Sequence, residues 1–137
     1  MISLYQAHAV CRRGPTQSID IKVVSNMGAL PTSHAVSIGL IVTELIMNLV
    51  KYAFPQPRAS ARIRVTFEKA GADWKLTVSD NGTGRRQSHE PSTGLGTALV
   101  AALAKQLDAV ILETSTTEGL TVDVTRASFV SRLPNAA

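Results

Sequence analysis

Three groups of residues in this 137-residue chain have the types and spacing to handle a charged ligand. Glu44, Asn48 and Lys51, at spacings of four and three, interrupt the otherwise apolar stretch 38–54, IGLIVTELIMNLVKYAF. On a helix they fall within an arc of about 60°, one polar row on an element otherwise fit for burial. Such a row suits either a solvated face or the wall of a cleft, because burying it without partners costs several kcal/mol. Asp80 ends an apolar run and opens D-N-G-T-G, residues 80–84. A carboxylate there can accept a hydrogen bond from an exocyclic amine such as that of adenine. Gly82 and Gly84 would let a flat base approach the backbone, although a plain turn aspartate has the same local pattern. Gly94-Leu95-Gly96 then opens a helix, whose free N–H groups and positive dipole end suit phosphate. Taken alone, a single G-x-G is weak and most are simple turns.

The elements that must hold these residues can be read from periodicity. Residues 1–17 are ambiguous, and a short helix over 3–13, ended by Gly14-Pro15, is the one element they suggest. Ile19, Ile21 and Val23 alternate with Asp20 and Lys22 as in a half-buried strand. Pro31-Thr32-Ser33 starts the long helix, which Pro55 and Pro57 stop. Its buried side is expected to hold Ala35, Ile38, Val42, Leu45, Ile46 and Leu49. Residues 62–68 and 74–79 alternate too, and the polar, glycine-containing turn 69–73 makes them a β-hairpin. Residues 85–93 are polar and aperiodic, a mobile connector. A helix follows to about Leu107 with Leu99, Leu103 and Leu107 on one stripe, then strands over 110–114 and 120–125 joined at Thr117-Glu118-Gly119. Hairpins require antiparallel pairs, so the expected fold is a two-layer α/β sandwich, a mixed and mostly antiparallel sheet with helices on one face.

Composition narrows the function. The chain is 45% hydrophobic and 18% charged with a net charge of +4, as expected for one soluble domain with anionic partners. Its cations are scattered and its aromatics number six, which argues against nucleic-acid binding. The lone Cys11 excludes an internal disulfide and suits a reducing compartment. Residues 1–10 do not read as a signal peptide, and the apolar stretch before Lys51 reads as too short and interrupted to span a bilayer. The expected setting is cytoplasmic, without membrane insertion. Glycines following a polar connector rather than a buried strand exclude a Rossmann site, and no P-loop run is present. His8, His34 and His89 fail any zinc spacing.

Together, E-x-x-x-N-x-x-K-Y-A (44–53), D-N-G-T-G (80–84) and G-L-G-T (94–97) resemble, in order and spacing, the N, G1 and G2 boxes of the GHKL ATPase superfamily. The nearest likeness is to the ATP-binding catalytic domain of bacterial sensor histidine kinases, of the HisKA_2 and HWE kinds. It covers about residues 19–124, and three linked boxes are far more specific than any one. Two hallmarks depart: Tyr52 stands where HWE members have a histidine, and Trp74-Lys75-Leu76 lacks their glutamate. Arg85 and Arg86 replace small apolar residues after the second glycine of G1.

The resemblance implies a Bergerat fold over residues 18–130, with 1–17 a remnant of a preceding helical domain and 131–137 a tail. It implies ATP and Mg²⁺ as cofactors, with Asn48 on the ion and Glu44 orienting or deprotonating the nucleophile. Lys51 would stand near the phosphates and Tyr52 beside the nucleotide. Asp80 would hold adenine, supported by Gly82, Gly84 and Thr121, while Gly94, Leu95, Gly96 and Thr97 would form the phosphate-facing hinge of a lid. The implied activity is transfer of the γ-phosphoryl group to a histidine on a separate dimerisation domain, in this chain or another. A response regulator would be the indirect partner. No phosphoacceptor helix pair is visible, so self-phosphorylation is not expected of this stretch alone. The alternatives are a GHKL serine kinase of the anti-sigma-factor type, a non-catalytic pseudokinase or phosphotransfer scaffold, and, more remotely, a basic nucleic-acid-binding domain.

Overall fold

A computed structural model describes residues 4–12, 18–26, 30–52, 60–71, 73–82 and 95–126. Six strands form one sheet: β1 (Leu4–Arg12), β2 (Ser18–Asn26), β3 (Arg62–Ala70), β4 (Asp73–Asp80), β5 (Ala109–Thr116) and β6 (Gly119–Arg126). Among the described residues two helices join them, α1 (Thr32–Tyr52) and α2 (Leu95–Gln106). The strand order is β1-β2-β3-β4-β6-β5. Every neighbouring pair is antiparallel except β2–β3, which is parallel because α1 crosses between them. The expected mixed α/β sandwich is therefore the observed fold.

One expected element is overturned. Residues 4–12 are not helical but form β1, paired with β2 at nine positions from Leu4↔Asn26 to Arg12↔Ser18. Ala7, Ala9 and Gln6 favour a helix locally, yet β2 offers a free strand edge that pairs with the segment along its whole length. These residues thus belong to the sheet and not to a separate helical unit.

Alternation explains the core. Ile19, Ile63, Val65, Trp74, Leu76, Val78, Val122 and Val124 all point to one face of the sheet and are buried. The helices close that face. α1 contributes Ile38, Ile41, Leu45 and Leu49, α2 contributes Val100, Leu103 and Ala104, and Leu107 follows directly after α2. Two stripes are thus rotated from the expected ones. On α1, Ile41 is fully buried while Ala35 is exposed, so the polar row flanks the buried stripe instead of opposing it. On α2, Val100 takes the place of Leu99, which is 37% exposed.

Helix boundaries have local causes. α1 begins where the Pro31 carbonyl accepts the N–H groups of His34 and Ala35. α2 ends at Gln106, and two residues on Asp108, with a positive φ of 58°, turns the chain into β5. The β3–β4 turn uses Gly71 at φ 65°. The expected helix residues 53 and 54, the connector 85–93 and the tail lie outside the described residues.

The outward side of α1 is apolar as well, with Val36, Leu40 and Met47 exposed. Contrary to the expectation of a stretch too short and interrupted to span a bilayer, the helix, with a mean hydropathy of 1.6 over Thr32–Lys51, is long and apolar enough by those two measures. Here it is docked on the sheet. Ile41 is central to that docking, and Ile41→Ala is expected to lower unfolding free energy by about 3 kcal/mol. Urea titration would show it as a lower midpoint at unchanged slope.

Candidate functional site

The chain leaving β4 is pinned from several directions. Asp80 is the last residue of β4 and shares the helix-side face with Val78. Its Oδ1 accepts the N–H of Gly82 at 2.7 Å, closing a tight turn two residues long. Gly82 is buried beneath it. Between them, Asn81 bonds back to the start of β3: its N–H donates to the Arg62 carbonyl at 3.2 Å. The Asn81 Oδ1 accepts the Arg62 N–H at 2.8 Å, and its Nδ2 donates to the Ser60 carbonyl at 2.7 Å. Asn81 is thus a clamp that reading the sequence passed over. Its signal, an asparagine in a turn, is ordinary; its partners lie about twenty residues away.

A second position was missed. Gly119 opens β6 with φ 139°, and a Cβ built there would lie 2.0 Å from the Asp80 carbonyl oxygen. Only a residue without a side chain lets β6 start so close to Asp80. The sequence shows Gly119 as a turn glycine and nothing more.

Asn48 approaches from the helical layer. It is half-buried and, with Leu45 and Leu49 of α1, lines a cavity of about 170 Å³. The other walls are Val100 and Ala101 of α2, Ile111 and Glu113 of β5, and Leu120 and Val122 of β6. Leu120 directly follows Gly119, so one step of backbone links this cavity to the Asp80 turn. Glu44 sits one turn before Asn48 and is half-buried, whereas Lys51 in the last turn is exposed. Asn48 and Asp80 therefore lie on the same, helical side of the sheet.

Thr121 does not join them. It pairs with Ser79 in register, and both lie on the face away from the helices. The adenine-side role expected of Thr121 does not fit this register, since a shift of one residue in a strand reverses the face. Leu120, buried on the Asp80 side, stands there instead. Tyr52 closes α1, and Leu95, Gly96 and Thr97 form the first turn of α2. Gly84, Arg85, Arg86 and Gly94 lie outside the described residues.

Comparison with known proteins identifies the fold and the family. Residues 33–131 match the family model of histidine kinase-, DNA gyrase B- and HSP90-like ATPases, HATPase_c. The sensor histidine kinase PdtaS of Mycobacterium tuberculosis is 30% identical over 87 residues, 62% of this chain but only 17% of that protein. Among solved structures, the blue-light activated histidine kinase of Erythrobacter litoralis EL346 superposes with a TM-score of 0.69 at 27% identity, over 79% of this chain and 35% of that one. Its histidine kinase domain alone gives 0.68 at 25%, covering 79% and 51%. The chain thus spans a minor part of its curated relative and about half, or less, of these solved ones. With a family match over most of its length and a fold that superposes on those kinases, this chain belongs to the histidine kinase-, DNA gyrase B- and HSP90-like (GHKL) ATPase family as a histidine-kinase-type ATPase domain.

Proposed function

We propose that this domain binds ATP·Mg²⁺ and acts, on the cytoplasmic side, as the catalytic part of a two-component sensor histidine kinase. The observation that carries the reading is the Asp80–Gly82 turn, held by Asn81 and Gly119 on the same side of the sheet as Asn48. A carboxylate so fixed is set to accept the exocyclic N–H of adenine, while buried Gly82 leaves the base free to lie against the backbone. The triphosphate would then run toward the polar row of α1 and the first turn of α2, where Gly96 and Thr97 stand at a helix N-terminus.

The donor set fits magnesium in the manner of a nucleotide-carried ion. Among the described residues no group of three acidic, histidine or cysteine side chains could hold a metal by itself. Mg²⁺ keeps several waters and leans on phosphate oxygens, so the Asn48 amide oxygen as sole protein ligand is chemically sufficient. When bound, the ion neutralises charge on the phosphates. In the reaction, a phosphoacceptor imidazole nitrogen bonds to the γ-phosphorus as the bond to the bridging oxygen breaks, releasing ADP. Glu44, one turn from Asn48, orients that imidazole and takes its proton. The acceptor histidine belongs to a dimerisation domain in the same or another chain, and a response regulator receives the group next.

Glu44→Gln tests the division of labour. With a phosphoacceptor domain supplied in trans, transfer should fall on the order of 100-fold while nucleotide affinity stays within about twofold. Equal losses in both would remove Glu44 from the chemistry. An acid-labile product marks phosphohistidine; an acid-stable one would move the reading to a serine kinase on the same pocket.

A further inference from the structure

The helices cover one face of the sheet, and the other carries a row of cations. Across the parallel β2–β3 pair, Lys22 stands opposite Arg64, and across β1–β2, His8 stands opposite Lys22. Arg62, one alternate position along β3, shares the face and is exposed, as are His8 and Arg64. Neighbouring strands are about 4.8 Å apart, and like charges directly opposite destabilise a sheet. The Lys22–Arg64 opposition is therefore a feature that folding disfavours. Asp20 lies in the next row opposite Arg62, yet among the described residues no ion pair involves Lys22, Arg62 or Arg64. The row continues as hydroxyls through Ser79 and Thr121.

We propose that this open face docks an acidic patch of a partner protein. The choice of partner rests on the mosaic around the cations. Asp20 sits among them, Glu68 and Asp123 share the face with Lys75, which pairs with Asp123 at 4.0 Å, and Val10, 61% exposed, stands opposite Asp20. A bilayer of anionic lipid or a nucleic-acid backbone presents unbroken negative charge, which those acids repel. No phenylalanine, tyrosine or tryptophan among the described residues of this face is available to stack on a base. Interspersed acids and small apolar groups beside arginine suit a protein surface instead. The face lies across the sheet from Asn48 and Asp80, so a docked partner leaves that side open.

The test uses a fluorescein-labelled peptide of alternating glutamate and alanine at low salt as the acidic probe, its negative charge interrupted as on a protein surface. Lys22→Glu with Arg64→Glu should weaken its binding at least tenfold, whereas Lys69→Glu with Lys105→Glu, which changes net charge equally but on the helical side of the sheet, should weaken it less than threefold. Independently, Lys22→Thr should raise the thermal midpoint by about 2 °C, because it removes the like-charge opposition. Equal losses in the two charge-matched pairs would overturn the proposal, as would a lower midpoint for Lys22→Thr. So would tighter capture by phosphatidylglycerol vesicles or duplex DNA than by the peptide, if the Lys22/Arg64 variant abolished that capture.

Discussion

Asp80→Asn is expected to weaken binding of a fluorescent ATP analogue on the order of 100-fold while moving the thermal midpoint by no more than about 2 °C. The two halves of that expectation have different causes. Asparagine retains an Oδ1 that can go on accepting the Gly82 N–H, so the turn closing β4 survives. What changes is the other atom of the group, from a charged acceptor to a donor. An exocyclic amine of adenine would then meet an N–H with nothing to accept either hydrogen, a loss of about 3 kcal/mol once the charge-assisted bond is counted. Asp80→Ala makes a useful contrast, because it also deletes the Gly82 bond and should cost stability as well. A titration unchanged by Asp80→Asn would remove adenine from this turn and with it the nucleotide reading of the site.

How much of this was readable beforehand depends on the range of the interactions involved. The start of α1, the β3–β4 hairpin and the β5–β6 turn are governed by residues next to one another, such as Pro31-Thr32-Ser33 and the Gly71 turn, and all are observed where expected. The three boxes were legible for the same reason, each being a short run. β1 was not, because its sequence LYQAHAVCR lacks alternation of large apolar residues and its conformation is set by pairing with β2. Its partner, not its own composition, decides.

Within correct elements, the faces were less legible than the elements. A helix packed by both a sheet and a second helix buries a stripe centred between them, which brings Ile41 inside and releases Ala35. Thr121 shows the same limit in a strand. Resemblance supplied a threonine after a glycine, but the extra residue between Gly119 and Thr121 places Leu120 on the Asp80 side and Thr121 beyond the sheet. Asn81 and Gly119 were invisible for a third reason: each acts through backbone atoms of another strand.

Gly119→Ala is expected to be the most damaging single change outside the core, lowering the thermal midpoint by about 10 °C and nucleotide binding with it. Its new Cβ would lie 2.0 Å from the Asp80 carbonyl oxygen, 2.9 Å from the carbonyl carbon and 3.2 Å from the Asn81 Cα. All three are backbone atoms, and the Asn81 bonds to Arg62 and Ser60 hold that backbone to β3. No flexible side chain can yield, so β6 or the Asp80 turn must move. The positive φ of 139° adds strain of about 1–3 kcal/mol by itself. Gly71→Ala separates the two costs. Gly71 also has positive φ, 65°, but a Cβ there meets nothing within 4 Å. It should lose only about 1 kcal/mol and leave nucleotide affinity unchanged. Thermal scans and analogue titrations of both variants decide the matter: equal effects would mean that contact with Asp80 contributes nothing, whereas a loss of binding confined to Gly119→Ala ties the start of β6 to the geometry of the Asp80 carboxylate.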